Sequence, residues 1–145
     1  MEFYLNDYTR SMEVMGALRR MSYGGDQANL AAGLQLLRSQ VFTATHGARL
    51  YDLGVARLAV IFTESRPTTL AATLAEAAAT RRAGIGIVTV GIGSAVDLYD
   101  LSAVASYPHE RTTFHAHRLG NLSDVSDPIK RIICRGTYLL IDLRA

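Results

Sequence analysis

Two glycines and two histidines are the first residues whose spacing could do chemistry. Gly91-Ile92-Gly93-Ser94 follows an apolar run, a place where a glycine turn can lay backbone N–H groups against a phosphate. A dinucleotide loop of the form G-x-G-x-x-G needs a third glycine, and Val96 stands in its place, so the pair reads as a tight turn from strand to helix. His115-Ala116-His117 sets two imidazoles on one face of a strand, which would suit a divalent metal. No cysteine or carboxylate pair at ligand spacing accompanies them, and two exposed histidines are the expectation. Covalent catalysis has no footing either. There is no G-x-S-x-G elbow, and Cys134 lies between Ile133 and Arg135 near a helix end, with no His beside it to act as base. An enzyme is therefore not expected. As the one cysteine, Cys134 is either a buried reduced thiol or half of a disulfide whose partner lies outside these residues. Asn121-Leu122-Ser123 fits the N-glycosylation acceptor, whose meaning depends on secretion.

Any such group must be held by the elements around it. The pattern predicts a strand at Glu2 to Leu5, a turn at Asn6-Asp7-Tyr8-Thr9, and a helix capped by Ser11 that buries the face carrying Met12, Val14, Met15, Leu18 and Met21. Gly24-Gly25-Asp26 breaks the chain before a second helix at about 27–41, and a loop fills 43–56. Arg57 to Thr63 (RLAVIFT) is a continuous apolar run, the pattern of a strand covered on both faces. An alanine-rich helix at 68–83 follows Pro67, then a buried strand at 84–90, a short helix at 98–106, a brief strand at 112–115 and a helix at 122–133. Thr137 to Leu143 (TYLLIDL) closes the series as another apolar strand. Alternating strands and helices imply an α/β fold with a doubly wound, mostly parallel sheet flanked by helices. Ligands bind such sheets outside the carboxyl ends of the strands. That rim comprises Glu64-Ser65-Arg66, the Gly91-to-Ser94 turn and Asp142-Leu143-Arg144, with Asp26 and Asn29 approaching from the glycine turn. Asp26, Asn29, Glu64, Ser65, Arg66, Asp142 and Arg144 are the ligand-face candidates.

Composition bounds the functions available. With 145 residues, 49% of them hydrophobic, a net charge of +2 and a mean hydropathy of +0.13, the chain can bury one core and does not have the makeup of a disordered tail. Its apolar runs are far short of the roughly 20 residues of a membrane span. A charged residue, Glu2, opens a strand-like run at once, so no signal peptide is read. Lys130 is the only lysine, and the arginines are scattered in pairs such as Arg19-Arg20 and Arg81-Arg82. Nucleic acid is not expected as a partner, because its recognition wants a clustered basic face.

Several segments in order carry a family resemblance: Glu2-Phe3-Tyr4-Leu5-Asn6-Asp7-Tyr8, Met21-Ser22-Tyr23-Gly24-Gly25-Asp26, Leu58-Ala59-Val60-Ile61-Phe62-Thr63-Glu64-Ser65-Arg66, Ala83-Gly84-Ile85 leading to Val90-Gly91-Ile92-Gly93, and Ile132-Ile133-Cys134. Together they resemble the von Willebrand factor A domain, especially the tandem copies of collagen VI and matrilin-like matrix proteins. The resemblance implies a secreted adhesion or matrix module that binds proteins such as collagen. It also implies an offset copy: residues 1–134 match a domain lacking its usual first strand, first helix and second strand, while 135–145 resemble the missing first strand. Either the chain runs from one copy of a tandem array into the next, or the last strand folds back into the sheet. Neighbouring copies or a second copy of the chain are the further partners implied.

The family's metal site holds a divalent cation, usually Mg²⁺, among hard oxygen ligands on one rim. Carried over by position, Asp142 keeps the first aspartate, Arg144 replaces a serine, Ala28 replaces a threonine, and Glu64 replaces an aspartate. Alanine offers no oxygen, and a guanidinium puts positive charge where the cation belongs. The expectation is no cofactor and no tight metal, against the competing idea of a weak Mg²⁺ site built from Asp26, Glu64 and Asp142. In a secreted protein Cys134 would pair with a cysteine elsewhere and Asn121 would be a glycan site.

Overall fold

A computed structural model describes residues 1–22, 29–49 and 55–135. The frame is a parallel sheet of β1 (Arg57–Thr63), β2 (Ile85–Ile92) and β3 (Thr113–Ala116), in that order. Arg57 pairs with Ile85 and Thr63 with Gly91 across the first ladder, and Thr89 pairs with Thr113 across the second. β2 is buried over its whole length because it has a strand on each side and helices on both faces.

The side-chain period of two decides which helix meets which face. Ile87 of β2 and Ile61 of β1 point to one side, into a cluster with Leu34, Ala77 and Val104. These come from α2 (Leu30–Leu36), α3 (Leu70–Arg82) and α4 (Leu98–Val104). Val90, Val60 and Phe114 point to the other side and pack on Val125 and Ile129 of α6 (Leu122–Arg135). Ile87, Val88 and Val90 are fully buried, which contributes about 1.5–3 kcal/mol each. The doubly wound α/β arrangement expected from the sequence is thus present, with α3 and α4 as the crossovers on one face and α6 on the other.

Several local expectations change. Residues 1–4 are not a strand. The Tyr4 N–H donates to the Asp7 carboxylate at 2.7 Å, Phe3 packs edge-to-face on Tyr8, and Tyr4 stacks on His46 with ring centroids 3.7 Å apart. An aspartate three residues on offers the backbone a local partner that competes with a ladder. The first helix, α1 (Ser11–Arg20), has Arg10 rather than Ser11 at its N-cap, and Glu13 accepts the Arg10 N–H at 3.1 Å. Its apolar period is real, yet none of its residues is buried and Met12 is 81% exposed, because periodicity shows a face and not what covers it.

α2 starts at Leu30 and ends in a wider turn over Leu37–Val41 in which the Phe42 N–H reaches back to the Leu37 carbonyl. β1 is covered less than expected: Ala59 is buried, but Phe62 is 54% exposed, because among the described residues β1 has a neighbour on one edge only. The loop after 43 includes a short 3₁₀ turn at Ala44–His46. A single helical turn, α5 (His109–Thr112), leads into β3. The strand expected at 137–143 and the turn at Gly24-Gly25-Asp26 lie outside the described residues.

Candidate functional site

The carboxyl ends of the strands form the rim where a parallel sheet binds ligands. β1 delivers Thr63, whose hydroxyl donates to the Ser65 carbonyl at 2.9 Å and accepts the Ser65 N–H at 3.3 Å. This hydroxyl-closed turn presents Glu64 and Ser65 to solvent. Glu64 makes no ion pair among the described residues.

Arg66 is more constrained. Its guanidinium donates to the Asp100 carboxylate from Nε at 3.1 Å and from Nη2 at 2.8 Å, and Nη2 also lies 3.1 Å from Asp97 Oδ2. Asp97 is the N-cap of α4, accepting the N–H groups of Tyr99 and Asp100, so the pair of carboxylates sits at the positive end of that helix. Asp100 is almost wholly buried. The hydrogen bond to Asp100, then the charge of Asp100 and that of Asp97, hold the Arg66 pKa above the ordinary arginine value against a small opposing effect of burial. Arg66 therefore ties the loop after β1 to the start of α4 and carries a fixed positive charge on the rim. Asp97 before Leu98 is visible in the sequence as a cap. The inward turn of Asp100, which completes the pair, is set by packing and was missed.

Asn29 caps α2, its Oδ1 accepting the Ala32 N–H at 3.0 Å, so its oxygen is committed to the helix. Asp26, Ala28, Asp142 and Arg144 lie outside the described residues. Among those described, no three His, Cys, Asp or Glu side chains converge on a point that could hold a metal ion.

The other candidates resolve into structure. Gly91 packs against α4 and its approach, where an added Cβ would lie 2.8 Å from Leu101 Cδ1. Gly93 turns the chain at φ +78°, and its N–H donates to the Ala116 carbonyl. His115 is half-buried rather than exposed, with Nε2 2.8 Å from the Gly93 carbonyl oxygen and its ring edge-to-face with the exposed His117. The period of two cannot reveal a hydrogen bond made across to the next strand's turn. Cys134 is exposed on α6, which corrects the buried-thiol alternative. Asn121 accepts from Arg118 and donates to Asp124 at the start of α6. No described helix is long and apolar enough to cross a membrane.

A parallel α/β domain with helices on both faces and its candidate groups on the strand ends is the class of protein defined here. Residues 1–128 match the von Willebrand factor type A domain, and the chain belongs to that family. It is 29% identical over 133 residues to Matrilin-2 of Mus musculus, a match covering 92% of this chain and 14% of that protein. A shorter stretch of 64 residues, 43% of the chain and 21% of the relative, is 45% identical to Integrin alpha-1 of Gallus gallus. Among solved structures, proximal thread matrix protein 1 from the mussel byssus superposes with a TM-score of 0.77 at 19% identity, over 99% of this chain and 33% of that one. The same mussel protein has been solved with a zinc-occupied MIDAS motif. The chain thus spans a third or less of the length of each of these proteins.

Proposed function

We propose that this chain is a noncatalytic protein-binding or structural module of a secreted extracellular matrix or adhesion protein, whose family metal site is degenerate. The observation that supports this reading is family membership over residues 1–128; the degenerate site is our reading of Ala28 and Arg144 as standing where the family resemblance expects metal ligands. Binding then rests on the shape and fixed charges of the rim, where Arg66 is held in place by Asp97 and Asp100. Extracellular proteins, neighbouring copies of the domain or a second copy of the chain are the partners, and Asn121 and Cys134 are the positions for a glycan and an external disulfide.

Immobilised triple-helical collagen probed with the 145-residue chain, in EDTA and in MgCl₂, tests the metal side of this proposal. Equal signal in both buffers is expected. Binding lost in EDTA and restored by Mg²⁺ overturns it in favour of metal-dependent adhesion to a collagen-like ligand, the second reading that the zinc-occupied mussel relative keeps in view.

A further inference from the structure

The turn after β2 is tied twice to the end of β3. The Gly93 N–H donates to the Ala116 carbonyl at 2.9 Å, and the Gly93 carbonyl oxygen lies 2.8 Å from His115 Nε2. A carbonyl oxygen can only accept, so Nε2 carries the proton and, in the neutral ring, the free lone pair sits on Nδ1. Phe114 packs toward α6, so His115 faces the other side of the sheet. His117, two residues on, brings its ring to 5.0 Å from that of His115, centre to centre.

We propose that His115 and His117 form an open two-imidazole site for a borderline divalent cation of the Zn²⁺ and Cu²⁺ class. The hydrogen bond to Gly93 is the first support. A metal-binding histidine characteristically donates its other ring N–H to a carbonyl or carboxylate, which fixes the ring and makes the ligating nitrogen more basic. Spacing is the second. An imidazole nitrogen lies about 2.0–2.1 Å from bound zinc and about 1.1 Å from its own ring centre, so two rings coordinating at about 90–109° have centres about 4.5–5.1 Å apart. The observed 5.0 Å falls in that range. Access is the third: His115 is half-buried and clamped, while His117 is exposed and can turn its ring to share the ion. No third His, Cys, Asp or Glu joins them among the described residues. Water then completes the shell in the isolated chain, at positions that a donor atom of a bound partner could take.

This site is distinct from the family's metal position. β3 is two strands away from β1 and Glu64, about 10 Å across the sheet. Imidazole suits Zn²⁺, Cu²⁺ and Ni²⁺, whereas Mg²⁺ and Mn²⁺ prefer oxygen. Isothermal titration of the 145-residue chain with ZnCl₂ is the test. One site is expected, with a Kd of about 1–100 µM, weaker than a closed zinc site because half the ligands are water. His117→Ala and His117→Gln, at an exposed position, are each expected to weaken binding at least as much as the loss of an outer-shell partner does, about 10–100-fold. Glu64→Ala and millimolar MgCl₂ are expected to leave it unchanged. Long-range ¹H–¹⁵N spectra of the imidazoles are expected to show the Nε2–H tautomer of His115 before zinc, and zinc on Nδ1 after. Absence of binding heat up to millimolar zinc overturns the proposal, as does binding that survives both His117 variants. Binding lost in Glu64→Ala puts the zinc in the family's position instead, and zinc on His115 Nε2 refutes the role given to the Gly93 hydrogen bond.

Discussion

Replacing Gly91 by alanine separates a packing glycine from a phosphate-cradling one. The new Cβ would lie 2.8 Å from Leu101 Cδ1, 2.9 Å from Val96 Cγ2 and 3.3 Å from Val96 Cβ, all inside ordinary van der Waals contact. Leu101 is buried and has nowhere to go, so β2 and the approach to α4 must spread. Overpacking of this kind costs about 1–3 kcal/mol. With an unfolding entropy of about 2.1 cal/mol/K per residue, a chain of 145 residues loses roughly 3–10 °C in Tm. Urea denaturation followed by circular dichroism gives the free energy, and a thermal scan gives the shift. Val96→Ala removes one of the two obstructing side chains, so the double variant is expected to recover at least about 0.5 kcal/mol relative to additivity. Gly93→Ala is the control. Its Cβ meets open space but is forced to φ +78°, at a cost of about 1–2 kcal/mol that Val96→Ala does not relieve. An unchanged Tm for Gly91→Ala, or a loss that Val96→Ala leaves untouched, refutes the packing argument. A nucleotide that raises the Tm of the parent but not of Gly91→Ala refutes the noncatalytic reading of the turn as well.

Two further substitutions probe the elements that hold the rim. Asn29→Ala removes the side chain that accepts the Ala32 N–H and is expected to cost about 0.5–2 kcal/mol in urea denaturation, with Asn29→Ser close to neutral. Arg66→Gln deprives buried Asp100 of its cation and is expected to lower the Tm, by an amount that shrinks as salt screens the exposed guanidinium of the parent. A salt-independent difference would show that the loop is held by something other than this pair.

What the sequence made legible was what depends on local pattern. RLAVIFT became β1 over the same residues, and the run from Gly84 became β2, because continuous apolar segments between polar ends leave a buried strand as the simplest solution. α3 followed Pro67 as expected. What failed needed knowledge of neighbours. Glu2 to Leu5 has a strand's composition, but Asp7 captured its backbone. The methionine face of α1 has the period of a buried helix and stays exposed. At the rim, Glu64, Ser65 and Arg66 were found as candidates through the rule that ligands gather at strand ends. The partner of Arg66 was not, because Asp100 reads as an ordinary acidic residue in the first turn of a helix until the loop after β1 folds over it. Cys134 shows the same limit, since flanking residues do not reveal that its side of α6 faces solvent.

Isothermal titration of the chain with Mg²⁺ and then Mn²⁺ tests most directly whether this family member has lost its metal site. On the proposal that Ala28 and Arg144 stand in place of metal ligands, no binding heat is expected at micromolar ion concentrations for the parent or for Glu64→Ala. Micromolar binding of either ion by the parent that disappears in Glu64→Ala would contradict the account.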